Sequence, residues 1–211
     1  MNNVLNIKGI TIQNIYANIV NSQYVVNRRY QRKLVWTVEE KVKFIDSILK
    51  GLPVPMIIMA NSDKGENNKL LEILDGMQRL NAITSYIEGE FPVDNKYFDL
   101  EQNPYTRQLI INNELKQKEP TLDIQSCINF LDYNIPFSIF ENSSSKEIDE
   151  CFRRINTGGK NLSRQDVRQA GCLDIFTDLV RECSIYIRKD SSRTDILDLK
   201  LMKNISISNK G

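Results

Sequence analysis

At 211 residues, 41% apolar and 26% charged, the chain is read as one ordinary soluble domain, or one domain with a small appendage. A formal net charge of +1 gives no global basic field to draw in nucleic acid. With no histidine, His-dependent triads, His–metal nucleases and most zinc enzymes drop out, leaving chemistry to carboxylates, Arg, Lys, Ser/Thr or a bound metal.

No apolar run approaches the ~18 residues that suggest a membrane helix. The first residues, MNNVLNIKG, lack the basic start and apolar core of a signal peptide, so a cytoplasmic, membrane-free protein is expected. Cys127, Cys151, Cys172 and Cys183 form no CxxC pair and are expected to be reduced and partly buried.

In chain order, the apolar positions of residues 4–20 predict a short strand or turn feeding a helix from about Thr11. Val25 and Val26 start an extended segment that runs into a cluster of Arg28, Arg29, Arg32 and Lys33 with Tyr30 and Trp36. That cluster reads equally well as a loop pinned by its aromatics and as a basic wall for phosphates or DNA. Thr37 and Glu40 form a capping box, and Val38, Val42, Ile45, Leu49 and Leu52 repeat at helical steps. Gly51 and Pro53 stop that helix, and Pro53-Val-Pro55 forces an extended lead into the strand Met56–Met59.

Across a polar loop, 61–69, the run Leu70–Leu74 is predicted to pair with this strand as a hairpin. Asp75-Gly76 breaks the run, and Leu80, Ile83 and Ile87 then define a helix ending at Gly89. Asn103-Pro104 opens a further helix. Ile128–Leu131 and Ile135–Phe140 read as two strands, the second starting at an edge or at its first residues because of Pro136. From Ser143 onward the pattern is helical, with caps at Ser144 and Ser163 and another helix from Thr194. This divides the chain into a core, 1–142, and a helical extension, 143–211, that looks cut at its C-terminus.

The stretch that carries chemistry is strand, Asp75-Gly76, helix. The first amides of a helix lack intrahelical partners and sit at the positive end of its dipole, so such a turn attracts phosphate. Gly76 permits close backbone approach, with Met77 beside it, and Arg79 can fork onto phosphate oxygens. Asp75 and Gln78 are the candidate catalytic pair. Asp75 is placed to orient a water or to hold Mg²⁺ carried on a triphosphate. A plain tight turn followed by a solvated arginine uses the same residues.

Three segments occur in order: Tyr30-Gln31-Arg32…Trp36, Asp75-Gly76-Met77-Gln78-Arg79 and Phe152-Arg-Arg-Ile-Asn-Thr-Gly-Gly159. Together they resemble the DGQQR-motif domains of the ParB/sulfiredoxin-like superfamily. Such domains form the N-terminal half of GmrSD-type modification-dependent restriction enzymes and related phage-defence proteins. The resemblance covers residues 10–175.

It implies an α+β fold, with a small mixed sheet and flanking helices, that binds a nucleoside triphosphate with Mg²⁺. In some members hydrolysis licenses a separate nuclease. Asp75, Gly76, Gln78 and Arg79 match the nucleotide motif, Gln31 and Arg32 the upstream pair, and Arg154 and Asn156 the RxNTGG segment. Met77 stands where the family usually has Gln, and a thioether cannot hydrogen-bond a phosphate or water as an amide does. Binding is therefore the firmer implication and hydrolysis the weaker one. Sulfiredoxin chemistry needs a cysteine in this turn, which Met77 excludes.

A C-terminal HNH nuclease half would need histidine. Either this chain is a truncated N-terminal domain whose nuclease is a C-terminal domain or partner subunit, or the intact protein never had that half. The alternative reading is a DNA-binding or ParB-like nuclease module resting on Arg28, Arg29, Arg32 and Lys33.

Overall fold

The computed structural model describes residues 4–27, 34–62, 70–141, 147, 148, 150, 151, 154 and 196–198. Local signals set most of its boundaries. Strand β1 (Val4–Thr11) passes directly into helix α1 (Ile12–Val20), with the Thr11 hydroxyl accepting from the Asn14 amide at the N-cap. After β2 (Tyr24–Asn27) comes α2 (Val38–Leu49). Its capping box is complete: Thr37 Oγ1 accepts from Glu40 N, and Glu40 Oε2 accepts from Thr37 N at 2.8 Å. Gly51, with φ +67°, ends the helix as expected.

The buried stripe of α2 is Phe44, Ile45 and Ile48; the expected Val38 and Leu52 are exposed instead. Both sit at the ends of the segment, where the helix leaves the sheet that the stripe covers.

β3 (Ile57–Ser62) and β4 (Leu70–Asp75) pair antiparallel, as the expected hairpin requires. α3 (Met77–Ile87) follows after Gly76 alone. Next come α4 (Pro104–Ile111), capped by the Asn103 side chain on Tyr105 N, then α5 (Ile124–Asp132) and β5 (Asn134–Glu141). Ile128–Leu131 is therefore helical and not a strand. Asp123 caps the helix by accepting from Ser126 N and Oγ. Its buried face is Cys127, Phe130 and Leu131, at helical spacing, while Ile124 and Ile128 face solvent.

The described strands form one mixed sheet in the order β1-β5-β3-β4-β2-β6, where β6 is Ile196–Asp198. β1–β5 and β3–β4 are antiparallel, and β3–β5 and β2–β4 are parallel. β5 lies inside the sheet, and Pro136 falls before its pairing with β3 begins at Phe137. β6 pairs with β2 where a helix from Thr194 is expected.

Alternation divides the two faces. Ile57, Met59, Ile73, Ile135, Phe137 and Ile139 join the main core under α1, α2, α3 and α5. Ala60 and Leu74 turn to the opposite face, where Ile148 packs on them with Ile58, Phe140 and Cys151 alongside. Glu147, Ile148, Glu150, Cys151 and Arg154 are helical, as read from the Ser144 cap; the later elements of the extension lie outside the described residues. The fold is α+β, with a helical layer set against a mixed sheet. No helix among the described residues is long and apolar enough to cross a membrane. Cys127 is buried and Cys151 half-buried, both as free thiols; Cys172 and Cys183 lie outside the described residues.

Candidate functional site

The β4–α3 corner is built from neighbouring strands as well as from its own residues. Gly76 has φ +109° and ψ 7°, a left-handed conformation that L side chains rarely adopt. It is also tightly packed. A Cβ at this position would stand 2.8 Å from Ile57 Cγ1 and 3.0 Å from its Cγ2. Glycine is thus required twice, for the backbone and for the close approach of β3. α3 begins here with no side-chain cap on its first amides, a helix end held by backbone alone.

Arg79 folds back over that end. Its Nη2 donates to Asp75 Oδ2 at 2.6 Å and to the Met56 carbonyl at 3.0 Å. The arginine side chain is 14% exposed and the aspartate 46%. The charge pair is therefore open on the carboxylate side and enclosed on the guanidinium side. Arg79 Nε is buried and has no hydrogen-bond partner among the described residues. Buried N–H groups are normally satisfied, so this donor is hydrogen-bonding capacity that the described residues leave unused at the corner. The Pro53-Val-Pro55 segment explains the Met56 contact, since its extended backbone delivers that carbonyl to the corner.

Gln78 plays a part that sequence reasoning missed. Its Oε1 accepts from Val35 N and Trp36 N, each at 3.2 Å, fastening the segment after the basic cluster onto α3. Trp36 in turn packs edge-on to Phe44 of α2, with ring centroids 5.6 Å apart. The aromatic therefore pins this segment to the core while holding it beside the β4–α3 turn. The nearest sequence signal was the shared order of the Trp36 and Gln78 motifs, which carries no distance.

Of the remaining candidates, Arg154 is described: it is exposed, and its Nε pairs with Glu150 at 2.7 Å, one turn away. The helix bearing it rests on Ala60 and Leu74, the sheet face opposite α3. Gln31, Arg32, Asn156 and the basic residues Arg28, Arg29 and Lys33 lie outside the described residues. The structure thus brings together Asp75, Gly76, Met77, Gln78 and Arg79. Among the described residues no cluster of three or more His, Cys, Asp or Glu side chains could hold a metal.

Comparison with known proteins adds one finding. The family model described as "GmrSD restriction endonuclease, N-terminal domain" matches residues 12–173, most of the chain. A comparison with curated proteins returned no match.

Proposed function

Because the chain belongs to the GmrSD restriction endonuclease N-terminal domain family, we propose that it is a nucleoside-triphosphate-binding regulatory domain of a restriction or phage-defence protein. One observation carries the reading: an enclosed guanidinium with an unfilled Nε–H lies over a helix end that has no side-chain cap. Both features favour a phosphate, the first through charge-assisted hydrogen bonds and the second through exposed amides and dipole.

In this reading Arg79 and the amides of Met77–Arg79 hold the phosphates. Gly76 keeps the approach free of side-chain atoms. Asp75, the half-exposed carboxylate beside them, faces Mg²⁺ brought in on the nucleotide. Such a metal neutralises phosphate charge, and hydrolysis, where it occurs, requires positioning more than a covalent nucleophile. Gln78 acts by positioning, since its oxygen already holds the Val35–Trp36 backbone. Gln31, Arg32 and Asn156 complete the wall in this proposal, while Arg154, carried by the helix on the opposite sheet face and paired with Glu150, stands apart from it. The regulated nuclease resides in a C-terminal domain or a partner subunit.

Thermal shift with each of the four nucleoside triphosphates, with and without Mg²⁺, tests the reading. A ligand at 100 times its Kd adds about 2.7 kcal/mol, which is roughly 5–10 °C for a chain of this size. At least one triphosphate should reach that range. Flat melting curves for all four, with and without metal, would refute the assignment.

A further inference from the structure

We propose that the cavity framed by α1, α3 and α4 is a second binding site, for a small molecule that joins an apolar, ring-sized body to a protonated amine. The cavity measures about 640 Å³, within the range typical of small-molecule pockets. Its frame is braced without being filled. The Tyr16 and Tyr105 rings meet edge-on with centroids 6.2 Å apart, and Asn21 Nδ2 donates to the Tyr105 hydroxyl at 3.2 Å.

The lining divides by burial. Ile19 and Leu80 are buried, and Leu109 and Leu115 half-buried, giving an apolar inner wall that calls for a hydrophobic body. Within that wall α3 places Asn81 and Ser85, 7% and 2% exposed, where an ordinary core helix would carry aliphatic residues. Polar groups in an otherwise apolar cavity orient a ligand.

Charge fixes the ligand's sign. Glu88, Glu90 and Glu114 line the cavity, and among the described residues no Lys or Arg lines it. Glu88 accepts from the Tyr16 hydroxyl at 3.2 Å, which aims one carboxylate along the wall. Glu90 and Glu114 are exposed and mark the outer part. Two described cations come near: Lys41 of α2 donates to Ser85 Oγ at 3.2 Å and feels the charge of Glu90, and Lys118 donates to the Gly89 carbonyl at 2.8 Å, so the three lining carboxylates still outnumber them. Three carboxylates disfavour a triphosphate here, which makes this site distinct from the α3 N-terminus. A lysine side chain from a partner protein would satisfy the carboxylates yet leave the apolar wall bare, so a free molecule fits better.

The test is calorimetric titration of the whole chain with tyramine and tryptamine, and with 4-hydroxyphenylacetate as the ring of opposite charge. At least one amine should bind saturably, at one per chain, and at least tenfold more tightly than the acid. The double substitution Glu90→Gln/Glu114→Gln alters exposed positions only and should weaken the amine roughly fivefold, the scale of an exposed ion pair or two. Leu109→Trp, which fills the cavity, should abolish binding; should it fail to fold, the double variant decides. No saturable amine binding, equal affinity for the acid, or an unchanged constant in the double variant would each overturn the proposal.

Discussion

Arg79→Ala is expected to abolish the proposed triphosphate binding while leaving the domain folded. Truncating one member of an enclosed, hydrogen-bonded charge contact costs about 2–5 kcal/mol of binding, roughly 30-fold to several thousand-fold. The stability cost in the unliganded chain is smaller. Its ion-pair partner Asp75 is 46% exposed, and such pairs contribute about 0–1 kcal/mol. Loss of the bond to the Met56 carbonyl adds about 1 kcal/mol. Arg79→Lys keeps the charge but not the two-point fork, and should fall between wild type and alanine. Urea denaturation alongside nucleotide titration separates the two effects. If affinity and stability fall in proportion, or affinity survives in the alanine variant, Arg79 is a structural residue and nothing more.

The second large effect belongs to Gly76→Ala. An L side chain in the left-handed region costs roughly 1–2 kcal/mol. The new methyl would also stand 2.8 Å from Ile57 Cγ1, and Ile57 is wholly buried. Forcing extra volume into a packed core adds about 1–3 kcal/mol, so a total of about 2–5 kcal/mol is expected. Gly51 is the internal control. Its φ of +67° is also left-handed, but nothing lies within 4 Å of where its Cβ would be. Gly51→Ala should show the backbone part alone, about 1–2 kcal/mol. Equal losses at the two positions would mean that β3 yields easily and that the corner is not rigid.

The corner was legible in sequence because each of its determinants is local: a dipeptide break, a helical repeat and a glycine stop within twenty residues. The caps at Thr37 and Asn103 were legible for the same reason. Ile128–Leu131 was not, because four apolar or neutral residues fit a strand and a helix equally well. The deciding signal lay upstream, in the Asp123 cap and the Cys127, Phe130, Leu131 spacing. Sheet order was out of reach for a different reason. β5 inserts between β1 and β3, pairing antiparallel with one and parallel with the other, and no local pattern encodes that choice.

Within the site, the identities of Asp75, Gly76, Gln78 and Arg79 could be read in the chain, but their relations could not. Gln78 secures Val35 and Trp36, and Arg79 spans from Asp75 to Met56; both depend on contacts more than twenty residues away. The cavity between α1, α3 and α4 likewise emerges only once three separate helices are assembled.

Amide chemical shifts recorded during titration with Mg²⁺ and the best-stabilising triphosphate address the phosphate-capture claim most directly. The largest changes should fall on the amides of Gly76, Met77, Gln78 and Arg79, with smaller ones at Val35 and Trp36, which Gln78 holds. Changes confined to residues around Tyr16 and Glu88, or none at saturating nucleotide, would contradict the claim that the α3 N-terminus is where the anion binds.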